Sequence, residues 1–399
     1  MSVPRVLYLA HRVPYPPDKG DRIRNYHLLR QLARRCRVWL GCLADEPVDE
    51  AATAELDRLC ERVAVVPVGK SSRWLRAGLS LATGRSLSEG LFAEPGLRRF
   101  THEWTRETGF DTAVVSASSL VPYLRRDGLE NTPAVVDLID VDSQKWDDYA
   151  AASRGPKRWL YRLEAARVRK LEAGLTGWAK AVAVVSPAEA RLYDSFTHDG
   201  AATAATNGVD LEYFAPAEGP TDRACVFVGA MDYPPNVDAA VWFAREVWPG
   251  IRARFPDAEF RVVGRKPVPA VQALAALPGV KLVGQVPDVR PHVARAAVVV
   301  APLRLARGVQ NKVLEALAMA KPVVAAPPAL VALTAEVGVH LLAASKPEEW
   351  VGAVGGLFAD PDRRRWLGSA ARRFVEENHD WEQCLRPLLD RIVPPRVPA

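Results

Sequence analysis

Long uncharged stretches are missing from this 399-residue chain. The longest run to 14 residues, for example Pro267–Val280 and Pro322–Ala335, and both contain proline. A membrane-spanning helix needs about 20 apolar residues, so none is expected. The first apolar run, Val6–Ala10, is too short for a signal-peptide core and is followed by His11 and Arg12, which predicts a cytoplasmic chain. Cysteines number five, are scattered and form no CxxC pair, which argues against a disulfide framework or a zinc site. The seven histidines make no HxxxH or HExxH cluster, so no metal site is read. No internal repeat or low-complexity bias is present, which removes collagenous, coiled-coil and mucin-like classes.

What is present is an ordinary soluble composition, 49% apolar and 25% charged, with enough apolar surface for packed cores. The length suggests two or three domains at about 150 residues each. Net charge is +6, and the cations cluster. Eight lie between Arg12 and Arg37 and eight between Arg154 and Lys180, each group facing only two acids. Such patches suit phosphorylated substrates, anionic lipid or nucleic acid, and equally a solvated helix face. No nucleic-acid motif or aromatic stacking platform accompanies them, so no nucleic-acid partner is expected.

Short β-branched runs alternate with longer helical patterns. Residues 6–10, 38–43, 63–68, 113–116, 134–138, 181–185 and 202–206 read as strands of a first half. Residues 225–229, 259–263, 280–283, 297–301 and 322–325 read as strands of a second. Nearly continuous apolar strands separated by helices predict parallel sheets covered on both faces. The fold class is therefore α/β, with two Rossmann-like doubly wound domains facing across a cleft. The Pro-, Gly- and acid-rich segment 215–222 is the linker candidate, giving domains over 1–215 and 222–380. Residues 360–392 read as helical with a break near 378–380, and the last helix, about 381–392, is expected to pack back on the first domain.

Three segments carry candidate chemistry. After the first strand, Lys19 and Gly20 lie in a proline-rich loop, with Asp21 placed to cap the next helix. Asp137, Asp140, Asp142, Asp147 and Asp148 crowd DLIDVDSQKWDDYA, where capping and loop hydrogen bonds are the first use expected and Asp137 or Asp140 remains a candidate for a ligand-facing carboxylate. The strongest segment is APLRLARGVQNKVLEALAMAKPVVA. A loop carrying Arg304, Arg307 and Gly308 leads into a helix whose start gathers Gln310, Asn311, Lys312 and Glu315. A helix N-terminus with lysine and two arginines suits a diphosphate, and Glu315 one turn further in suits vicinal hydroxyls.

NGVDLEYFAP (207–216), VVSPAEA (184–190) and KVLEALAMAKPVVA (312–325) together resemble the retaining glycosyltransferases of family 4, which have the GT-B fold. Within that family the chain is most similar to sugar transferases of exosortase (PEP-CTERM) exopolysaccharide loci. The residues behind this are LYLAHRVPYPPDKGDRIRNYHLLR, DLIDVDSQKW, GAMDYPPNVDAAVWFAREVWP and GVQNKVLEALAMAKPVV. The resemblance implies a nucleotide-sugar donor (UDP-, GDP- or ADP-sugar) bound as substrate in the second domain, with no cofactor and no metal. It also implies a lipid-linked or oligosaccharide acceptor on the first domain. Lys312, Glu315 and Arg307 become the catalytic candidates. Gly20, Gly229, Asn236, Gly264, Arg265, Arg304, Gly308, Gln310 and Asn311 become the donor-binding ones, with Lys19, Asp137 and Asp140 on the acceptor side.

Two departures stand out. Where the family has the first of two glutamates separated by seven residues, this chain has Arg307, which cannot serve as a carboxylate nucleophile. Where it often has Arg and Lys on the diphosphate, this chain has Ala230 and about Asn236. The diphosphate charge is therefore expected to be met from the Glu315 loop. A non-catalytic nucleotide-sugar-binding homologue and an epimerase on the same fold remain as alternatives. An anionic membrane surface is a further candidate partner, because Trp159, Leu160, Leu163, Leu171, Leu175 and Trp178 follow a near-helical spacing within the second basic cluster; the competing reading has Leu163, Leu171 and Leu175 facing the domain core and the arginines facing water.

Overall fold

The computed structural model describes residues 3–69, 71–125, 128–197, 202–306 and 308–394. The chain divides into two compact units, residues 1–206 with 385–399, and residues 207–384.

Among the described residues the first unit contains β1 (Arg5–Ala10), β2 (Arg37–Ala44), β3 (Arg62–Pro67), β4 (Thr112–Ser116), β5 (Ala134–Ile139), β6 (Ala181–Val184) and β7 (Ala202–Ala204). They form one parallel sheet in the order β3-β2-β1-β4-β5-β6-β7. The interior strand β1 buries Val6, Leu7, Tyr8, Leu9 and Ala10 completely, which requires cover on both faces. The edge strand β3 instead alternates buried with half-buried positions. Each large side chain so enclosed contributes about 1.5–3 kcal/mol relative to exposure. Truncating one, such as Leu9→Ala, costs about 2–5 kcal/mol.

The second unit contains β8 (Asp222–Val228), β9 (Glu259–Val263), β10 (Val280–Gly284), β11 (Ala296–Ala301), β12 (Val323–Ala325) and β13 (Leu342–Ala343). These too run parallel, in the order β10-β9-β8-β11-β12-β13. In each sheet the order turns back on itself, between β1 and β4 and between β8 and β11. Open parallel sheets bind ligands at the strand C-termini beside such a reversal. The two-residue β13 is too short to read as a strand from sequence.

Asn207 begins the second unit. Its side-chain amide donates to Asn311 Oδ1 at 3.1 Å, and Val209 forms a β-bridge with Asp380. Arg372 fixes the same segment by donating to the carbonyls of Leu211 and Phe214. The C-terminal stretch is two helices, Pro361–Asn378 and Trp381–Ile392. The chain has returned to the first unit by Leu385, where Thr112 Oγ1 donates to the Ile392 carbonyl.

The two readings of the second basic cluster separate here. The helix Gly155–Ala173 ends before Leu175 and Trp178. Leu175 is fully buried, while Leu171 and Trp178 pack against the core. The inward face carries Glu164, Ala165, Val168 and Glu172, so the leucine stripe is not one membrane-facing surface. Glu164 is tolerated inside because it accepts from the backbone N–H groups of Leu87 and Ser88 and from the Ser88 hydroxyl. Among the described residues no helix is long and apolar enough to cross a membrane.

Candidate active site

In the second unit, the loop after β11 leads into the helix Asn311–Ala318. Val313, Leu314, Leu317 and Ala318 are buried in the core. The 3.6-residue period then puts Asn311, Lys312 and Glu315 together on the opposite face. Gly308 supplies the left-handed turn (φ 57°) by which the chain enters this helix. The N-cap residue, Gln310, makes no side-chain capping bond, so the helix start is not closed by its own cap.

The loop after β8 meets this helix. Lys312 Nζ donates to Asn236 Oδ1 at 2.5 Å, and Asn236 Nδ2 donates to the Ala230 carbonyl at 2.9 Å. The ammonium also lies 4.8 Å from the Phe227 ring centroid. Gly229 completes the floor, where an added Cβ would sit 2.7 Å from Asn236 Nδ2 and 3.0 Å from Lys312 Nζ. From the β9 side, any side chain at Gly264 would collide with the Gly229 carbonyl oxygen. Met231 N–H donates to the Arg265 carbonyl at 2.9 Å, and Gly229 N–H donates to Val263 at 3.0 Å. The structure thus gathers Gly229, Asn236, Gly264, Arg265, Lys312 and Glu315 around the C-terminal ends of β8, β9 and β11.

Burial pushes Glu315 up to about 7, against the pull of the Lys312 ammonium. It pushes Lys312 down to about 8, with the Glu315 carboxylate opposing. Burial disfavours the charge on each group, so both would gain from a ligand able to share it.

Arg304 is placed differently from expectation. Its guanidinium forms a two-pronged ion pair with Asp238 and lies 5.6 Å from the Trp242 ring centroid. Its charge is already met, so it is not a spare cation for a diphosphate. It lines a cavity of about 690 Å³ together with Asp238, Trp242 and Glu246, which includes neither Lys312 nor Glu315. Arg307 lies outside the described residues.

In the first unit Asp137 is not a ligand-facing carboxylate. It has no exposed surface and is clamped by Arg24, whose Nε and Nη2 donate at 2.8 and 3.0 Å. Arg24 Nη1 also donates to the Ala205 carbonyl, so this pair ties β5 to the end of the sheet. Lys19 pairs with Glu46 at 3.2 Å, and Gly20 opens the helix Gly20–Ala33. Asp140, half-buried, follows β5, with its backbone N–H donating to Leu138.

Sequence reasoning missed His11, which follows β1 and lies 3.1 Å from Asp21 through Nε2. Burial would raise Asp21, but its bond to His11 and the charges of His11 and Arg12 hold it well below the usual carboxylate range. A histidine directly after the first strand of a Rossmann-like sheet was the available signal. Among the described residues no group of three or more His, Cys, Asp or Glu is arranged to hold a metal ion.

Residues 222–360 match the family described as "Glycosyl transferases group 1". This span runs from β8 through Lys312 and Glu315 to beyond β13. Among solved structures, the chain is similar to sucrose-phosphate synthase from Thermosynechococcus elongatus (TM-score 0.69, 17% identity, covering 97% of this chain and 98% of that one). It is similar to Anabaena HepE in complex with UDP-glucose (TM-score 0.67, 14% identity, 97% and 98% covered). It is also similar to TarM of S. aureus (TM-score 0.71, 10% identity, 98% and 99% covered). At these identities the likeness is one of fold, and the two parallel-sheet α/β units have the GT-B fold. No curated protein matches the chain in sequence.

Proposed function

We propose that this chain, which carries a glycosyl transferases group 1 domain on a GT-B fold, moves a sugar from a nucleotide-sugar donor to a lipid-linked or oligosaccharide acceptor. The transfer retains anomeric configuration, needs no metal and serves exopolysaccharide assembly at the inner face of the cytoplasmic membrane, as in the family 4 and exosortase-associated enzymes it resembles. A UDP-sugar is the first donor to test, because the similar Anabaena HepE was solved with UDP and with UDP-glucose.

The observation that carries this reading is the meeting of Lys312 with Asn236 at the reversal between β8 and β11. On this reading Lys312 and the start of the helix Asn311–Ala318 neutralise the departing diphosphate, and Asn236 aims the ammonium. Glu315 accepts hydrogen bonds from the ribose hydroxyls. Gly229 and Gly264 let the backbone approach the nucleotide. The bond from the anomeric carbon to the phosphate oxygen breaks, and the acceptor oxygen forms its bond on the same face of the sugar. The acceptor proton passes to the departing diphosphate. Positioning and charge stabilisation supply the acceleration, with no enzyme nucleophile.

The test is a thermal-shift panel of UDP-, GDP- and ADP-sugars, followed by transfer assays with and without EDTA and determination of the product anomer. A bound donor raises stability as RT ln(1 + [L]/Kd). No shift with any donor would overturn the reading. Binding without turnover would favour the non-catalytic homologue, and an inverted product would refute the same-face step.

A further inference from the structure

The cavity of about 690 Å³ in the second unit has a chemistry of its own. It follows the outward face of the helix Pro234–Trp242, whose inward positions are Asn236, Ala239 and Ala240. Pro234, Val237 and Val241 recur at helical spacing and give it an apolar wall, joined by Val268 from the segment after β9. The next turn is a π turn over Phe243–Val247, in which Trp248 N–H donates to the Phe243 carbonyl five residues back. Pro249, with no N–H to donate, follows directly and accounts for the break in the α pattern. This turn brings Arg245 and Glu246, both exposed, to the same cavity.

Its polar groups come in both signs and are partly fixed in advance. Asp238 and Arg304 form an ion pair, and Arg304 lies 5.6 Å from the Trp242 ring centroid. The fully buried Trp350 meets the Trp242 ring edge to face at 6.3 Å. Three planar side chains, Trp242, Arg304 and Asp238, are thereby held before any ligand arrives, which lowers the entropy cost of binding. Among the described residues the side chains of Arg245 and Glu246 make no hydrogen bond, so both are free to serve a ligand.

This combination selects one ligand chemistry. An anion would meet Asp232, Asp238 and Glu246, and a cation would meet Arg245 and Arg304. A wholly apolar ligand would strip water from charged groups without replacing it. A neutral sugar does neither. Its hydroxyls donate to carboxylates and accept from guanidinium groups, while its C–H faces cover Trp242 and the valines. The helical run from Pro234 to Glu246 is roughly 18 Å long at 1.5 Å per residue, which suits a chain of sugar rings better than a single one.

We infer that this cavity is a second carbohydrate site, taking a neutral oligosaccharide at a place distinct from Lys312 and Glu315. Glu246 and Asp238 accept from its hydroxyls, Arg245 and Arg304 donate to them, and Trp242 covers a ring face. This goes beyond sugar transfer and is read by binding alone, so it stands or falls separately from the proposed activity.

The experiment is saturation-transfer NMR and calorimetric titration of the full chain with maltotetraose, cellotetraose and chitotetraose, with Tm recorded for every variant. At least one of the three should bind, with the same Kd in the presence of excess UDP and in Lys312→Ala. Ala270 is exposed and lines the cavity, so Ala270→Trp fills it from the outside. That variant should keep its Tm and raise Kd ten-fold or more. Arg245→Gln and Glu246→Gln, also at exposed positions, should each raise it about five-fold. No binding of any tetrasaccharide, or undiminished binding by Ala270→Trp, would overturn the inference. So would displacement by UDP, which would assign the sugar to the Lys312 site, or tighter, salt-sensitive binding of a heparin tetrasaccharide, which would make the site one for anions.

Discussion

Asn236 holds the ammonium of Lys312 by its side-chain oxygen at 2.5 Å, while its own amide nitrogen is anchored on the Ala230 carbonyl. The anchor fixes which end of the amide faces the lysine, so Asn236 presents an acceptor and never a competing donor. Asn236→Ala leaves Lys312 without that guide. A hydrogen bond to a charged group contributes about 1.5–3 kcal/mol, so turnover should fall roughly 10- to 150-fold. Steady-state kinetics on a folded variant would check this, and an unchanged kcat/KM would remove Asn236 from the site.

Lys312 and Arg304 should respond oppositely. Lys312→Ala removes the ammonium that meets the loop after β8, and is expected to abolish most transfer while leaving Tm near the wild type. Arg304 is half-exposed and already paired with Asp238, and exposed pairs contribute about 0–1 kcal/mol. Arg304→Ala should therefore change donor affinity less than about five-fold. Calorimetric donor titration separates the two, and a larger loss at Arg304 would return it to the phosphate site.

How much of this was legible in the sequence depended on distance along the chain. β1 and β11 could be read because uninterrupted runs such as Val6–Ala10 have no periodicity to confuse. Lys312 and Glu315 could be read because three residues is one helical turn. Asn236 could be read only as a departure from the family pattern. What it does there depends on Lys312, 76 residues later. Asp137 looked like a ligand-facing carboxylate because its partner Arg24 lies 113 residues earlier. The helix Gly155–Ala173 was ambiguous because Glu164 and Glu172 are buried beside its apolar residues, whereas pattern reading turns acids outward.

Asp137→Asn tests the structural assignment of that residue. Removing one partner of a buried ion pair leaves the other charge uncompensated, at a cost of about 3–5 kcal/mol. The variant should unfold at much lower denaturant, while its folded fraction keeps the wild-type KM for donor and acceptor. A stable variant with a raised acceptor KM would instead restore Asp137 to the acceptor side.

The pair Lys312 and Glu315 should also leave a mark on stability against pH. Glu315 ordinarily loses its proton near 4.5, but in the fold it does so near 7. Between those values the folded state holds a proton that the unfolded state has released, so stability falls as pH rises through this window. Lys312 ordinarily loses its proton near 10.5, but in the fold it does so near 8. There the unfolded state binds the extra proton, so stability rises as pH climbs from about 8 towards 10.5. The combined contribution is therefore lowest between about 7 and 8, where both groups are charged in a place that resists charge. Glu315→Gln removes the acid limb and Lys312→Met the alkaline one. Calorimetric Tm profiles should show Glu315→Gln gaining on the wild type as pH rises from 5 to 7, by about 1 kcal/mol or more. The same variant should bind the donor more weakly, because its amide cannot accept from both ribose hydroxyls as a carboxylate does. A Glu315→Gln profile parallel to the wild type across that range would show that the carboxylate is solvated, and its buried position in the site would have to be given up.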